Sequence, residues 1–244
     1  MRLVLSAFAA LVLALPALAE SHMTPSERDA FRSEVRNYLM ENPEVIMEAI
    51  NLLQTREAEA QAQAEVAMVQ NQMDALVNDG VSYVDGNPDG DITIVEFMDY
   101  RCGFCKRAHP EVESLLSADG NVRLIIKEFP ILGEESVLAS RFAIATKMVA
   151  GDEAYKTVHD TLMSFDGQPD MDTLVRLGNT LGLDTDAITA MMDDDAVTQV
   201  IADNRALGQA LQINGTPTFV VADQMVRGYV PAEQLQQLVD DLRG

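Results

Sequence analysis

Two cysteines, Cys102 and Cys105, constrain the possible fold and function of this 244-residue chain more than any other feature. Only Gly103 and Phe104 lie between them, and the sequence has no third cysteine for a longer cross-link. A bridge that closes so small a loop adds little stability, because it removes little entropy from the unfolded chain. The pair is therefore predicted to react rather than to hold the fold together.

The cysteines directly follow a predicted strand and open a predicted helix. Residues 91–98 are β-branched and apolar, as in a buried strand, and residues 106–116 continue with a helical pattern. Residues 122–129 have the composition of a second buried strand. Strand, helix and strand together predict a βαβ unit with a parallel pair of strands.

This placement gives the two thiols different expected roles. A thiolate attacks a disulfide, and the amides and dipole at a helix N-terminus lower the pKa of a cysteine placed there. Cys102 is therefore expected to be exposed and nucleophilic. Cys105 is expected to be more buried, and one turn further along it can form a disulfide with Cys102.

A metal site is the competing interpretation of the cysteine pair. Structural zinc sites need four ligands, whereas this sequence has two cysteines and three histidines. His109 lies one helical turn beyond Cys105 and could complete a three-ligand site. Redox chemistry fits the motif better, and no metal ion or cofactor is predicted.

The first 19 residues have the pattern of a secretory signal peptide. Arg2 precedes an apolar run over residues 3–15, and the small residues Ala17 and Ala19 occupy the two recognition positions before the cleavage expected after Ala19. The run is too short to span a bilayer. A periplasmic protein that is not embedded in the membrane is therefore expected. The formal net charge of −22 argues against binding to nucleic acid.

Two helices are predicted before the first strand, over residues 24–41 and from Pro43 to about residue 76. Their apolar stripe is thin, especially over the Ala-, Gln- and Glu-rich residues 54–65. One interpretation is self-association through a coiled-coil-like seam, and the other is a helix folded back onto the following domain. Self-association is favoured, which predicts a homo-oligomer.

Three motifs together resemble the DsbA family of thioredoxin-fold proteins, and in particular its ScsC-like members. The motifs are residues 96–106 around the cysteines, residues 127–132 at the end of the next strand, and residues 215–219 with Thr216 and Pro217. The resemblance implies an α/β thioredoxin fold over residues 81–244 with a helical insertion at about 134–211. It also implies an N-terminal helical oligomerisation region over residues 20–80, after the signal peptide at 1–19.

The resemblance also implies roles for individual residues. Cys102 corresponds to the attacking thiol, Cys105 to the resolving thiol, and Glu96 to a buried acid that relays a proton to or from Cys105. A strand-face glutamate paired with Lys127 or another basic residue is the alternative for Glu96. The bond before Pro217 is expected to be cis. The residues implied to contact substrate are Gly103, Phe104, Thr216 and Pro217.

The direction of electron flow follows from redox potential rather than from the fold. Gly103-Phe104 between the cysteines and Thr216 before the proline look more like periplasmic disulfide isomerases and reductases than like strong oxidases. An isomerase or reductase acting on exported client proteins, with a redox partner in the membrane, is therefore predicted. A dithiol oxidase is the first alternative, and a periplasmic protein that binds Cu(I) through its cysteines is the second.

Overall fold

A computed structural model describes residues 23–244 of the chain, so the signal-peptide prediction for residues 1–19 lies outside the described residues. The chain divides into two compact units between Ala58 and Glu59. Among residues 23–244, no helix is both long and apolar enough to cross a membrane.

The first unit is helical. Helix α1 (Pro25–Glu41) begins with a capping box, in which the Glu27 amide donates to Thr24 Oγ1 at 3.3 Å and the Thr24 amide donates to Glu27 Oε2 at 2.8 Å. Helix α2 (Glu44–Asn71) starts in this unit. Many large apolar side chains here are exposed: Phe31, Val35, Tyr38, Met40, Ile46, Met47, Ile50, Leu52 and Leu53.

The second unit is built on a five-stranded mixed sheet in the order β1-β3-β2-β4-β5. Strands β2 and β3 are parallel, as the βαβ prediction requires, and the other three pairings are antiparallel. The strands are β1 (Tyr83–Gly86), β2 (Ile92–Met98), β3 (Val122–Glu128), β4 (Thr218–Val221) and β5 (Gln224–Arg227).

Helices complete the unit. The active-site helix α4 connects β2 to β3, and a helical insertion, α5 to α9, lies between β3 and β4, within the predicted range of about 134–211. The remaining helices are α3 (Met73–Val77), α4 (Gly103–Asp119), α5 (Glu134–Ala150), α6 (Asp152–Ser164), α7 (Met171–Thr180), α8 (Thr185–Met192), α9 (Asp195–Ala210) and α10 (Ala232–Arg243).

Because successive side chains of a strand point to opposite faces, β2 and β3 contribute to two separate cores. Ile94 and Met98 belong to the larger core, with side chains from α4, α10 and the insertion. Val95 and Phe97 belong to the smaller core on the other face, which also contains Val69 of α2. This fold is the α/β thioredoxin type with an insertion and preceding helices, as predicted.

The predicted N-terminal helical region, residues 20–80, is divided between the two compact units. Helix α2 ends at Asn71 and the short α3 follows it, so the predicted helix is broken near Gln72. Val69 and Leu76 are fully buried in the smaller core of the second unit. The fold-back interpretation therefore holds for the end of the region, which packs in the second unit. Self-association through the exposed apolar side chains of the first unit stays a prediction.

Candidate redox site

Cys102 lies at the junction that the sequence predicts, between the end of β2 and the start of α4. It is the N-cap residue of α4, and its backbone amide donates to the Asp99 carbonyl at 3.0 Å. Its side chain is covered more than expected, since only 7% of the residue is exposed. The Sγ atom lies 3.1 Å from the Thr216 carbonyl oxygen, which brings the two predicted site segments together.

The environment of Cys102 favours the thiolate. The hydrogen bond from the Cys105 thiol is the largest influence and lowers the pKa of Cys102 to about 5. Burial opposes this shift, while the amides of Phe104 and Cys105 at the helix N-terminus add to it. Cys102 is therefore ionised at neutral pH, and the sulfur that is ionised is the less buried one of the two.

Cys105 has the opposite character. It is fully buried, and burial is the main reason that the pKa of its thiol is raised well above the ordinary value. Negative charge on Cys102 and on Glu96 raises that pKa further. Both cysteines are free thiols in this structure. The site is thus a thiolate beside a protonated thiol.

Glu96 lies in the middle of β2, on the face of the larger core. Its residue is 3% exposed, and burial, followed by the charge of Cys102, raises the pKa of its carboxyl group to about 8. Its Oε1 atom has no hydrogen-bond partner among the described residues. A buried carboxyl group with a pKa near neutrality can both accept and release a proton.

The alternative pairing of Glu96 with Lys127 is wrong. Lys127 pairs in register with Phe97, so its side chain points to the opposite face of the sheet from that of Glu96. The Lys127 ammonium is buried there, donating to the Ala75 carbonyl at 3.0 Å and forming an ion pair with Asp79.

The two residues between the cysteines are loosely surrounded. A Cβ atom added to Gly103 would meet no other atom within 4 Å, and the φ angle of Gly103 is not positive. Phe104 is 54% exposed, and the Arg107 guanidinium lies 4.5 Å from the centre of its ring. Neither residue is held in place by the core.

Thr216 and Pro217 face Cys102 from the loop that leads into β4. The peptide bond between them is cis, as the family resemblance implies. Pro217 is buried and its carbonyl accepts from the Gly228 amide at 2.8 Å. The structure therefore brings the loop of Thr216 and Pro217 next to the cysteine pair.

Asp99 is an important neighbour that the sequence analysis did not identify. Its buried carboxylate accepts hydrogen bonds from the amides of Arg101, Ile131 and Leu132 and from the Ser136 hydroxyl, at 2.8–3.1 Å. These bonds tie the turn before Cys102 to the segment after β3. An acidic residue between a buried strand and a reactive cysteine was the available signal.

His109 is not placed with the two cysteines. Its Nε2 atom lies 3.3 Å from Asp160 Oδ1, and its ring is 5.1 Å from that of His159, measured between centroids. The group of potential metal ligands that forms here within residues 23–244 includes neither thiol. The three-ligand site of two cysteines and His109 is therefore not formed.

Comparison with known proteins identifies the second unit. A family model described as DSBA-like thioredoxin domain matches residues 93–240. A second, described as copper resistance protein ScsC N-terminal domain, matches residues 27–60.

Individual relatives agree with these matches. A thioredoxin-like oxidoreductase from Silicibacter pomeroyi is 45% identical, with 70% of this chain and 96% of that chain covered and a TM-score of 0.66. The compact conformation of Proteus mirabilis ScsC is 29% identical, with 88% and 98% covered and a TM-score of 0.66.

The chain spans about a quarter of the length of the first curated relatives that it matches. One of these is Na(+)/H(+) antiporter NhaA 1 of Salinispora arenicola, 27% identical over 158 residues, which make up 64% of this chain and 24% of the antiporter. The DSBA-like model, in contrast, matches more than half of this chain and includes both cysteines and the cis-proline loop. The protein therefore belongs to the family of DSBA-like thioredoxin domains.

Proposed function

We propose that this protein is a thiol-disulfide oxidoreductase that exchanges disulfides with exported client proteins through Cys102 and Cys105. The main support for the proposal is that the pKa values of the two cysteine thiols are shifted in opposite directions. The pKa of Cys102 is lowered to about 5, whereas that of Cys105 is raised. Only a thiolate attacks a disulfide, so Cys102 reacts first.

The reaction then proceeds in two exchanges. The Cys102 thiolate attacks one sulfur of a client disulfide, forms a mixed disulfide with it, and releases the other client sulfur as a thiolate that takes up a proton. Cys105, after losing its proton, attacks the Cys102 sulfur and forms the Cys102–Cys105 disulfide. This attack breaks the mixed disulfide and releases the second client sulfur as a thiolate, which also takes up a proton. The client leaves with two thiols, so it has gained the two electrons that the protein has lost.

Glu96 is the proposed proton acceptor for Cys105. Its carboxylate is near enough to raise the pKa of the Cys105 thiol, and its own pKa of about 8 lies close to a neutral working pH. A proton taken from Cys105 would otherwise have to cross a buried region. In the reverse direction, Glu96 returns the proton when the internal disulfide is reduced.

Client contact is proposed at the rim around Cys102. Phe104 presents an exposed ring, and Gly103 leaves open space beside it. Thr216 is partly exposed next to the buried Pro217, so its backbone groups can pair with an extended client segment. These four residues surround the only ionised sulfur without covering it completely.

An isomerase or reductase is the favoured direction, in a periplasmic homo-oligomer. In isomerisation the released client thiolate attacks a different client disulfide, so that no net electrons are transferred. The Gly103-Phe104 dipeptide, Thr216 and the exposed apolar side chains of the first unit support this direction. The signal-peptide pattern of residues 1–19 supports export, and a membrane redox partner would then keep the cysteines reduced.

A dithiol oxidase is the second candidate, and one observation favours it. The environment that lowers the pKa of Cys102 stabilises the reduced protein, and a stabilised reduced form makes the corresponding disulfide more oxidising. Cu(I) binding by the two soft sulfurs is the remaining candidate from the sequence.

One pair of measurements separates these candidates. The redox potential of the Cys102–Cys105 pair is measured in glutathione buffers, and refolding of scrambled ribonuclease is measured alongside. A reducing potential with refolding that is lost in Cys102→Ser supports the isomerase or reductase. A strongly oxidising potential with rapid oxidation of reduced ribonuclease identifies an oxidase. Tight stoichiometric Cu(I) binding without either activity would overturn the enzyme proposal.

A further inference from the structure

A second cluster of reactive side chains lies between α4 and α6, away from the cysteine pair. His109 of α4 faces His159 and Asp160 of α6, and one ligand atom from each lies within 4.8 Å of the other two. We propose that these three residues bind one divalent transition-metal ion, with Zn²⁺ as the best chemical match. This site goes beyond the proposed redox function and uses neither thiol.

The ligand atoms suit such an ion. His159 is buried and only 15% of the His109 side chain is exposed, so both imidazoles are largely shielded from water, and the neutral imidazole is the form that binds metal. His109 Nε2 and Asp160 Oδ1 are 3.3 Å apart, close to the separation of neighbouring ligands around a tetrahedral zinc ion with bonds of about 2.0–2.1 Å. Two histidines and a carboxylate leave a fourth position for water.

A second layer of hydrogen bonds orients His159. Its Nδ1 atom is 3.1 Å from the Tyr100 hydroxyl. The Tyr155 ring stacks on that of His159 at 5.8 Å between centroids, and the Tyr155 hydroxyl donates to the buried Glu128 carboxylate. Metal-binding histidines typically have their other ring nitrogen fixed in this way.

The charges around the cluster also favour a cation. Lys156 Nζ lies 2.6 Å from Asp160, 3.1 Å from Glu113 and 3.7 Å from Asp85. One ammonium thus faces three carboxylates, and Asp85 Oδ2 is a buried atom without a hydrogen-bond partner among the described residues. The two negative charges that remain match the charge of a divalent ion. Lys156 competes with that ion for Asp160.

A bound ion would fasten the active-site helix to the helical insertion. His109 belongs to the helix that starts beside Cys102, whereas His159 and Asp160 belong to the insertion. The site would therefore hold these two elements together regardless of whether the cysteines are oxidised or reduced.

The test uses the full-length protein with its cysteines oxidised to the disulfide, so that the thiols cannot bind metal. Zn²⁺ is titrated by calorimetry, and Co²⁺ is followed by visible absorption. We expect one ion per chain, Co²⁺ bands without a thiolate-to-metal charge-transfer band, and a higher Tm with Zn²⁺. Binding only by the reduced protein, or by neither form, would overturn the proposal.

Variants locate the site. We expect Asp160→Asn and His109→Gln to weaken Zn²⁺ binding at least about tenfold and to abolish the Tm increase. Glu153→Gln, which removes the same charge from an exposed position of α6, is the matched control and should bind as the wild type does. Lys156→Gln should strengthen binding, because it removes the competing cation. Equal affinity of the wild type, Asp160→Asn and His109→Gln would place the metal elsewhere.

Discussion

Cys102 and Cys105 are one helical turn apart, yet they hold their protons very differently. The helix N-terminus contributes to this difference, but the largest influence on Cys102 is the hydrogen bond that it accepts from the Cys105 thiol. Each thiol therefore sets the reactivity of the other. The sequence predicts the order of burial correctly, although it overstates the exposure of Cys102.

Replacing Cys105 tests this mutual dependence. In the reduced wild type, the rate of alkylation of Cys102 by iodoacetamide should rise with pH around a midpoint near 5. In Cys105→Ala, the midpoint should rise by about one unit or more, because the thiolate loses its hydrogen-bond donor. Cys105→Ser keeps a donor and is the matched control, with a smaller shift. An unchanged midpoint in Cys105→Ala would assign the whole effect to the helix amides.

Glu96 gives a prediction about stability. Burial raises the pKa of the folded carboxyl group from 4.5 to about 8, so the folded protein binds more protons than the unfolded chain within this window. The contribution of Glu96 is fully present below the unfolded pKa and is lost as pH rises towards the folded pKa. Glu96→Gln cannot ionise and should not show this loss.

Urea unfolding of both proteins, with their cysteines reduced, at about pH 5 and about pH 8 measures the effect. We expect the free energy of unfolding of the wild type to fall relative to Glu96→Gln by up to about 1.4 kcal/mol per pH unit. Parallel pH profiles for the two proteins would contradict the raised pKa of Glu96.

Among the elements, helix α2 differs between its two halves, since the first is largely exposed and the second packs in a core. Its apolar residues before Ala58 are largely exposed, whereas Val69 is buried in the smaller core of the second unit. The following helix α3 adds Leu76 to the same core. The helical stripe in the sequence is similar in both parts, so periodicity alone does not distinguish them.

Two alanine substitutions compare these parts. Leu76→Ala should lower the free energy of unfolding of the second unit by about 2–5 kcal/mol, because it leaves a cavity in a packed core. Leu53→Ala removes the same atoms from a side chain that is 57% exposed, and it should leave that stability nearly unchanged. Equal losses in denaturant unfolding would mean that both leucines are buried to a similar extent.

The elements that the sequence predicts well are those with a strong local pattern. Strands β2 and β3 are rich in β-branched and apolar residues, and their bounds differ by one residue from the predicted ranges 91–98 and 122–129. Strand β1 was missed because it is four residues long and contains Asp85 and Gly86. Within the predicted helical insertion, α8 and α9 are separate helices, because the Asp194 side chain caps α9 by accepting from the Ala196 amide.

Contacts that join distant residues could not be predicted from local pattern. The polarity of Lys127 inside a buried strand gives no sign that Asp79 is its partner, nor does His109 indicate His159, fifty residues later. The site residues around the cysteines were identifiable because three motifs carry them. Asp99 was missed, since its four donors come largely from the segment after β3.

For the whole molecule, the exposed apolar side chains of the first unit predict self-association. Full-length protein should be oligomeric in light scattering, and a truncated protein that begins at Glu59 should be monomeric and still folded, since it keeps Val69 and Leu76. A truncated protein that begins at Val81 would lack both core residues, so a loss of association could not be separated from a loss of folding.

Point substitutions test the same prediction in the full chain. Ile50→Glu replaces an exposed apolar side chain of α2 with a carboxylate. It should weaken the oligomer, because burying an unpaired carboxylate between subunits is costly. Gln54→Glu adds the same charge one turn later at an exposed polar residue and should not weaken it to the same degree. A monomeric wild type would rule out association through these helices.

The open space at Gly103 has a consequence for the evolution of the redox potential in such a protein. A side chain added there meets no neighbour, and Phe104 beside it is largely in solvent, so neither position is constrained by the interior. Mutations at the two positions most able to alter the electron affinity of the disulfide therefore carry little folding penalty. Substitutions at these two positions can therefore turn a reductase into an oxidase without compensating mutations that restore the stability of the fold.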